Sequence, residues 1–135
     1  MSNEVVIKKL EQVSMLLDEI EELLKTAFDD FQNDTVKIRA AERTFQLIVD
    51  LASDVNAQIL LERGTATPDT YRQSFLYLGK EGVIPNELSK KLAESAGLRN
   101  ILVHEYDFEE DYRKFYDSAK KFIPFYRAYI KTLIQ

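Results

Sequence analysis

Residues 10–31, LEQVSMLLDEIEELLKTAFDDF, decide the fold class. Leu10, Val13, Leu17, Ile20, Leu24, Ala27 and Phe31 recur at alternating steps of three and four. That spacing draws one apolar stripe along a helix, whereas a strand would alternate at every second position. Glu11, Asp18, Glu21, Glu22 and Lys25 take the opposite face. Asn33-Asp34 stops this helix, and Asp34 is placed to cap the next one.

The same spacing continues through Ile38, Ala41, Phe45, Ile48, Ala52, Val55 and Ile59. This second long helix should run to about Arg63, where Gly64 supplies a stop. Two long helices with a short turn between them should pack antiparallel. Thr67-Pro68 reads as the start of a shorter helix that buries Tyr71, Phe75 and Leu78 and ends near Gly82. Pro85-Asn86 restarts the chain with Asn86 as cap, and Leu88, Leu92, Ala96 and Leu102 or Val103 form the inner face. Gly97 lies inside that helix. Asp107 and Glu110 have capping-box spacing before a last helix that carries Tyr112, Phe115, Ala119, Phe122, Tyr126, Tyr129 and Leu133 inward. Pro124 should kink or divide it by removing the bond to the Lys120 carbonyl. The expected architecture is all-α: an up-and-down bundle of four long helices plus one short helix, in a single domain over residues 1–135.

Composition removes several chemistries. The chain has no cysteine, so a disulfide framework, thiolate metal sites and a cysteine nucleophile are excluded. Its single histidine, His104, makes a classical zinc centre within one chain improbable. Neither a P-loop nor a dinucleotide fingerprint occurs. The apolar runs fall far short of a membrane span and Met1-Ser2-Asn3-Glu4 carries no basic leader, so a cytoplasmic protein is expected. The net charge of −5 argues against sequence-blind binding to nucleic acid, DNA included. The charge is uneven: residues 1–34 carry nine acids and three lysines, and residues 113–135 six basic residues and one acid. Packing of the last helix against the first would bring these opposites together.

Polar groups gather in residues 97–106, GLRNILVHEY. Asn100 and His104 are four apart and share a helix face, while Arg99 reaches them only through its long side chain. Imidazole exchanges protons near neutral pH, guanidinium grips phosphate oxygens, and an amide orients either one. These are the parts needed to cleave a phosphodiester without a metal. On spacing alone, a structural histidine at a helix end is the stronger reading.

Arg99, four residues, His104, one residue and Tyr106 reproduce the R-x4-H-x-Y signature of the HepT-like toxins of the HEPN superfamily, which this chain resembles. Arg43 and the apolar run through Asp54 resemble that family's second helix, and Pro68–Tyr71 with Gly82–Pro85 its middle segment. The resemblance implies a homodimer whose two copies line a cleft with Arg and His. It implies a metal-independent ribonuclease with no cofactor, leaving a 2′,3′-cyclic phosphate and a 5′-hydroxyl. His104 would then be the general base or acid, Arg99 would stabilise the transition state, and Asn100 would orient the histidine or the phosphate. It also implies a type VII toxin–antitoxin system. There an MntA-like nucleotidyltransferase transfers AMP to a tyrosine, matched here by Tyr106, and so blocks RNA. The acidic residues Glu105, Asp107, Glu109, Glu110 and Asp111 around that tyrosine are expected to face solvent and cap the last helix.

Two other readings fit the same residues. The chain could be a non-catalytic nucleotide-binding subunit of a nucleotidyltransferase, with Arg99 and His104 holding a phosphate. It could also be a helical dimerisation protein whose His104 only bonds a backbone carbonyl.

Overall fold

The computed structural model describes residues 3–104 and 109–135, and for 103, 104 and 109–111 the backbone alone. The described residues form six helices: α1 (Glu4–Leu23), α2 (Phe28–Phe31), α3 (Thr35–Glu62), α4 (Tyr71–Lys80), α5 (Asn86–His104) and α6 (Glu109–Ile134). Four are long, α4 is short and α2 is a single turn, so the all-α bundle expected from the apolar stripes is what forms. No described helix is long and apolar enough to cross a membrane.

Side-chain contacts fix the directions. Asn3 reaches Glu62, Lys9 meets Asp54 at 3.4 Å, and Lys37 meets Thr26 at 2.8 Å, so α1 and α3 run antiparallel. On α6, Tyr116 bonds the carbonyls of Leu24 and Thr26 while Arg127 meets Asp18 at 3.0 Å and Glu21 at 3.2 Å. The last helix thus lies antiparallel to the first and does bring a cation to its acidic face. The stripe residues Val6, Leu10, Val13, Leu17 and Ile20 meet Ile38, Phe45, Ile48, Ala52 and Val55 in one core, closed by Phe115, Phe122, Tyr126 and Tyr129. Burial of these apolar faces is the main favourable term holding the helices together.

Local signals set most helix ends. The Asn3 carboxamide oxygen accepts from the Val5 and Val6 amides, and Asp34 accepts from the Lys37 amide at 3.0 Å. Gly64 and Gly82 take φ of 70° and 73°, the left-handed conformation that terminates α3 and α4. Gly79 answers a different need: a Cβ there would stand 2.2 Å from Ser89 Oγ, so its missing side chain lets α4 lie against α5.

Four boundaries differ from the sequence reading. The first helix ends at Leu23 rather than continuing through Ala27 to Phe31. Tyr116 captures the Leu24 and Thr26 carbonyls, leaving Ala27 exposed as the cap of α2, although Phe31 is still buried. The short helix starts at Tyr71, not at Pro68, because Thr70 provides the cap and accepts from the Gln73 amide at 3.0 Å. Asn86 is the first helical residue of α5 rather than its cap, and the Pro85 carbonyl receives the Ser89 amide. Pro124 does not divide α6, which continues as one helix to Ile134. The Asp107 capping arrangement lies outside the described residues.

Candidate active site

Arg99 is carried on the last turns of α5, where the helix passes the middle of α3 and the start of α4. Its guanidinium turns inward, and its side chain is only 22% exposed. Nε stands 3.3 Å from Asp50 Oδ1 of α3. Both atoms are shielded from water, and the contact is an ion pair too poorly aligned to count as a hydrogen bond. The guanidinium carbon lies over the Tyr71 ring of α4, with Cζ 4.8 Å from the ring centroid. Nη1 points to Asn100 Oδ1 at 3.4 Å. Three helices therefore converge on one cation.

The electrostatics follow from that geometry. Partial burial raises the Tyr71 phenol above its ordinary value, the Asp50 carboxylate raises it further, and Arg99 opposes both. Tyr71 therefore stays neutral through the physiological range, and its ring carries the cation. Asp50 offsets the guanidinium charge on the Nε side only. Among the described residues, Nη2 is left directed to neither Asp50 nor Asn100, which suits a visiting oxyanion.

The predicted residues divide as follows. Arg99 and Asn100 are together, with the amide bonded weakly to the guanidinium. The backbone of α5 is helical through His104, so Asn100 and His104 do stand one helical turn apart. The side chain of His104, and Tyr106 altogether, lie outside what is described. Asp50 and Tyr71 were not singled out as functional by the sequence reading, which assigned Tyr71 to the core. Tyr71 is partly packed there, but its ring also carries Arg99. The available signal for Asp50 was a lone carboxylate inside the apolar run LIVDLA, residues 47–52. A separate groove of about 710 Å³ between α1 and α3, lined by Glu19, Glu22, Lys25, Lys37 and Thr44 among others, contains none of these groups.

The family model described as "Ribonuclease HepT-like" matches residues 14–133. The chain belongs to the HepT-like ribonuclease family. Among its HepT relatives, the "tRNA nuclease HepT" of Aphanizomenon flos-aquae is 35% identical over 103 residues, covering 76% of this chain and 70% of that protein. The "mRNA nuclease HepT" of Shewanella oneidensis is 28% identical over 107 residues, covering 77% of each. A solved tri-AMPylated HEPN toxin from Shewanella oneidensis, in complex with an MNT antitoxin, superposes with a TM-score of 0.72 at 22% identity over 93% of this chain and 98% of that one. At that identity the HepT-like bundle is shared as a fold. The family assignment makes the chain an enzyme of the ribonuclease class.

Proposed function

We propose that this chain is the RNA-cleaving toxin of a toxin–antitoxin pair, acting in the cytoplasm without a metal ion. The observation that carries the reading is the Arg99 guanidinium, held by Asp50 and Tyr71 on the helix that ends in His104. His104 takes the proton from a ribose 2′-hydroxyl. The oxygen attacks the adjacent phosphorus, the P–O5′ bond breaks, and the leaving oxygen collects a proton. The products are a 2′,3′-cyclic phosphate and a 5′-hydroxyl, and DNA, lacking the nucleophile, is no substrate. Arg99 stabilises the charge that accumulates on the phosphoryl oxygens, and Asn100 orients the phosphate or the imidazole.

With one histidine per chain, a base and a separate imidazole acid require two copies, so the working form is a homodimer with a composite cleft. An apolar groove of about 320 Å³ lined by Met15, Leu16, Leu47 and Leu51 supports this reading. Met15 is 64% exposed there, and Leu47 and Leu51 flank Asp50 along the helix. The antitoxin partner is a nucleotidyltransferase of the MntA kind that transfers AMP to Tyr106. The phosphates so added would compete for the anion site at Arg99. The AMPylated toxin bound to its antitoxin among the structural neighbours supports that assignment.

The test is cleavage of a defined RNA in EDTA, beside the same RNA with 2′-deoxyribose at the cut sites. Wild type should cut the first and spare the second, and His104→Ala and Arg99→Ala should cut neither. Equal cleavage by all three proteins, or cleavage of the deoxy substrate, overturns the proposal. Tight binding of mononucleotides with the RNA left intact would favour the nucleotide-binding subunit instead. For the partner, incubation with the nucleotidyltransferase and ATP should add adenylyl mass to wild type and not to Tyr106→Phe.

A further inference from the structure

We infer that Asp50 is a positioning residue for the reaction: it fixes the Nε edge of Arg99 against the Tyr71 ring so that the Nη edge faces the RNA phosphate. The inference rests on the nuclease reading of Arg99.

A guanidinium has one donor at Nε and two at each Nη. Asp50 Oδ1 faces Nε at 3.3 Å, Asn100 Oδ1 faces Nη1 at 3.4 Å, and Cζ stands 4.8 Å from the Tyr71 ring centroid. These contacts hold the Nε edge of the fork against α3 and α4. They leave Nη2 and the second hydrogen of Nη1 unassigned among the described residues, which is an end-on grip for two phosphoryl oxygens. An unanchored arginine would have to give up its rotamer freedom at the transition state. Anchoring it beforehand removes that cost and holds the charge where it is needed.

The location of Asp50 also needs an explanation that stability does not supply. Its Oδ1 and the Arg99 Nε are withdrawn from water, yet their contact is too bent to be a satisfied hydrogen bond. Replacing such a half-buried pair with apolar side chains is often no loss to a fold. Aiming the remaining face of the guanidinium gives the carboxylate a function that an apolar residue could not fulfil.

The experiment compares Asp50→Ala and Asp50→Asn with wild type in the full-length chain, each also combined with Arg99→Ala. The first readout is the Nε–H resonance of Arg99, identified by its loss in Arg99→Ala. It should be protected from solvent exchange in wild type and lose that protection in Asp50→Ala. The second is cleavage kinetics. Asp50→Ala should lower kcat by about tenfold to a hundredfold with little change in KM, and Asp50→Asn should lose less. Neither substitution should reduce the residual rate of Arg99→Ala further.

Cleavage at the wild-type rate by Asp50→Ala, in a protein that Arg99→Ala inactivates, overturns the inference and leaves the nuclease reading standing. So does an equal loss in the Arg99→Ala background, which would make Asp50 act on its own. If wild type cleaves no RNA, the nuclease reading falls, and the resonance alone decides whether Asp50 holds Arg99. Unchanged protection in Asp50→Ala, with the melting temperature of Asp50→Asn confirming the fold, overturns the contact itself.

Discussion

Two polar clusters lie on either side of Tyr71, and they are built on opposite principles. On the core side the polar side chains bond to one another and to the backbone. Ser74 donates to the Tyr71 carbonyl at 2.7 Å, and Asn56 donates to Ser74 Oγ at 3.1 Å. Tyr129 donates to Asn56 Oδ1 and lies 3.1 Å from the Ala52 carbonyl oxygen. Tyr126 and Ser95 are bonded at 2.6 Å, and the Ser95 hydroxyl goes on to the Leu92 carbonyl. On the outer side the Tyr71 ring supports Arg99, whose ion pair with Asp50 is bent and whose Nη2 has no partner among the described residues. Satisfied, uncharged and buried polar groups specify packing. Charged groups left incompletely paired beside solvent are prepared for something else to arrive.

That contrast predicts a clean division of mutational effects, and the largest should fall on the outer side. His104→Ala and Arg99→Ala should each lower RNA cleavage by about 10²-fold to 10⁴-fold, the range expected for losing a proton-transfer group or a transition-state donor. Circular dichroism and a thermal melt should find the helical content of both variants intact. A matching collapse of the melt would place these residues with the core cluster and break the comparison.

Phe75→Ala should do the reverse. Phe75 is fully buried, and its ring meets those of Tyr126 and Tyr129 at centroid distances of 6.1 Å. Its loss should cost about 3–5 kcal/mol in urea unfolding while the folded fraction keeps its cleavage rate. Gly79→Ala should cost less, about 1–3 kcal/mol, because the new methyl must push α4 from Ser89.

Tyr129→Phe sharpens the comparison through pH. Burial raises both the Tyr126 and Tyr129 phenols, so the folded chain retains protons that the unfolded chain releases in the ordinary phenol range. Stability should be fully present below that range and fall as pH rises through it. Tyr129→Phe should flatten that fall, at a cost near neutral pH of about 1–3 kcal/mol for leaving Asn56 Oδ1 unpaired.

The smallest effect concerns Glu42, whose carboxylate meets Arg39 at 2.8 Å while its Oε2 is buried with no partner among the described residues. Burial raises Glu42 more than Arg39 lowers it, so ionising it costs stability as pH rises through the carboxylate range. Arg39 is itself raised, first by its bond to Glu42, so the two contact each other favourably although the burial of the carboxylate outweighs the gain. Glu42→Gln should therefore melt about 1–3 °C higher at neutral pH, a margin that should vanish in acid. An unchanged melt would mean that the Arg39 contact cancels the burial cost.

The helices were legible because an apolar stripe is a local property: each residue needs only neighbours three and four positions away, and Leu10 to Leu24 carry that rule in themselves. The Asp34 cap and the Gly64 stop were legible for the same reason, as was the R-x4-H-x-Y signature at Arg99, His104 and Tyr106. What the chain order could not specify is which distant groups compete for a backbone carbonyl or a charge. Tyr116 ends α1 early by taking carbonyls about ninety positions away in the chain, Gly79 matters only because Ser89 faces it, and Asp50 gains its role only where α3 meets Arg99. These contacts arise from helix packing, which depends on the shapes of whole faces and not on any short spacing, so only the folded bundle decided them.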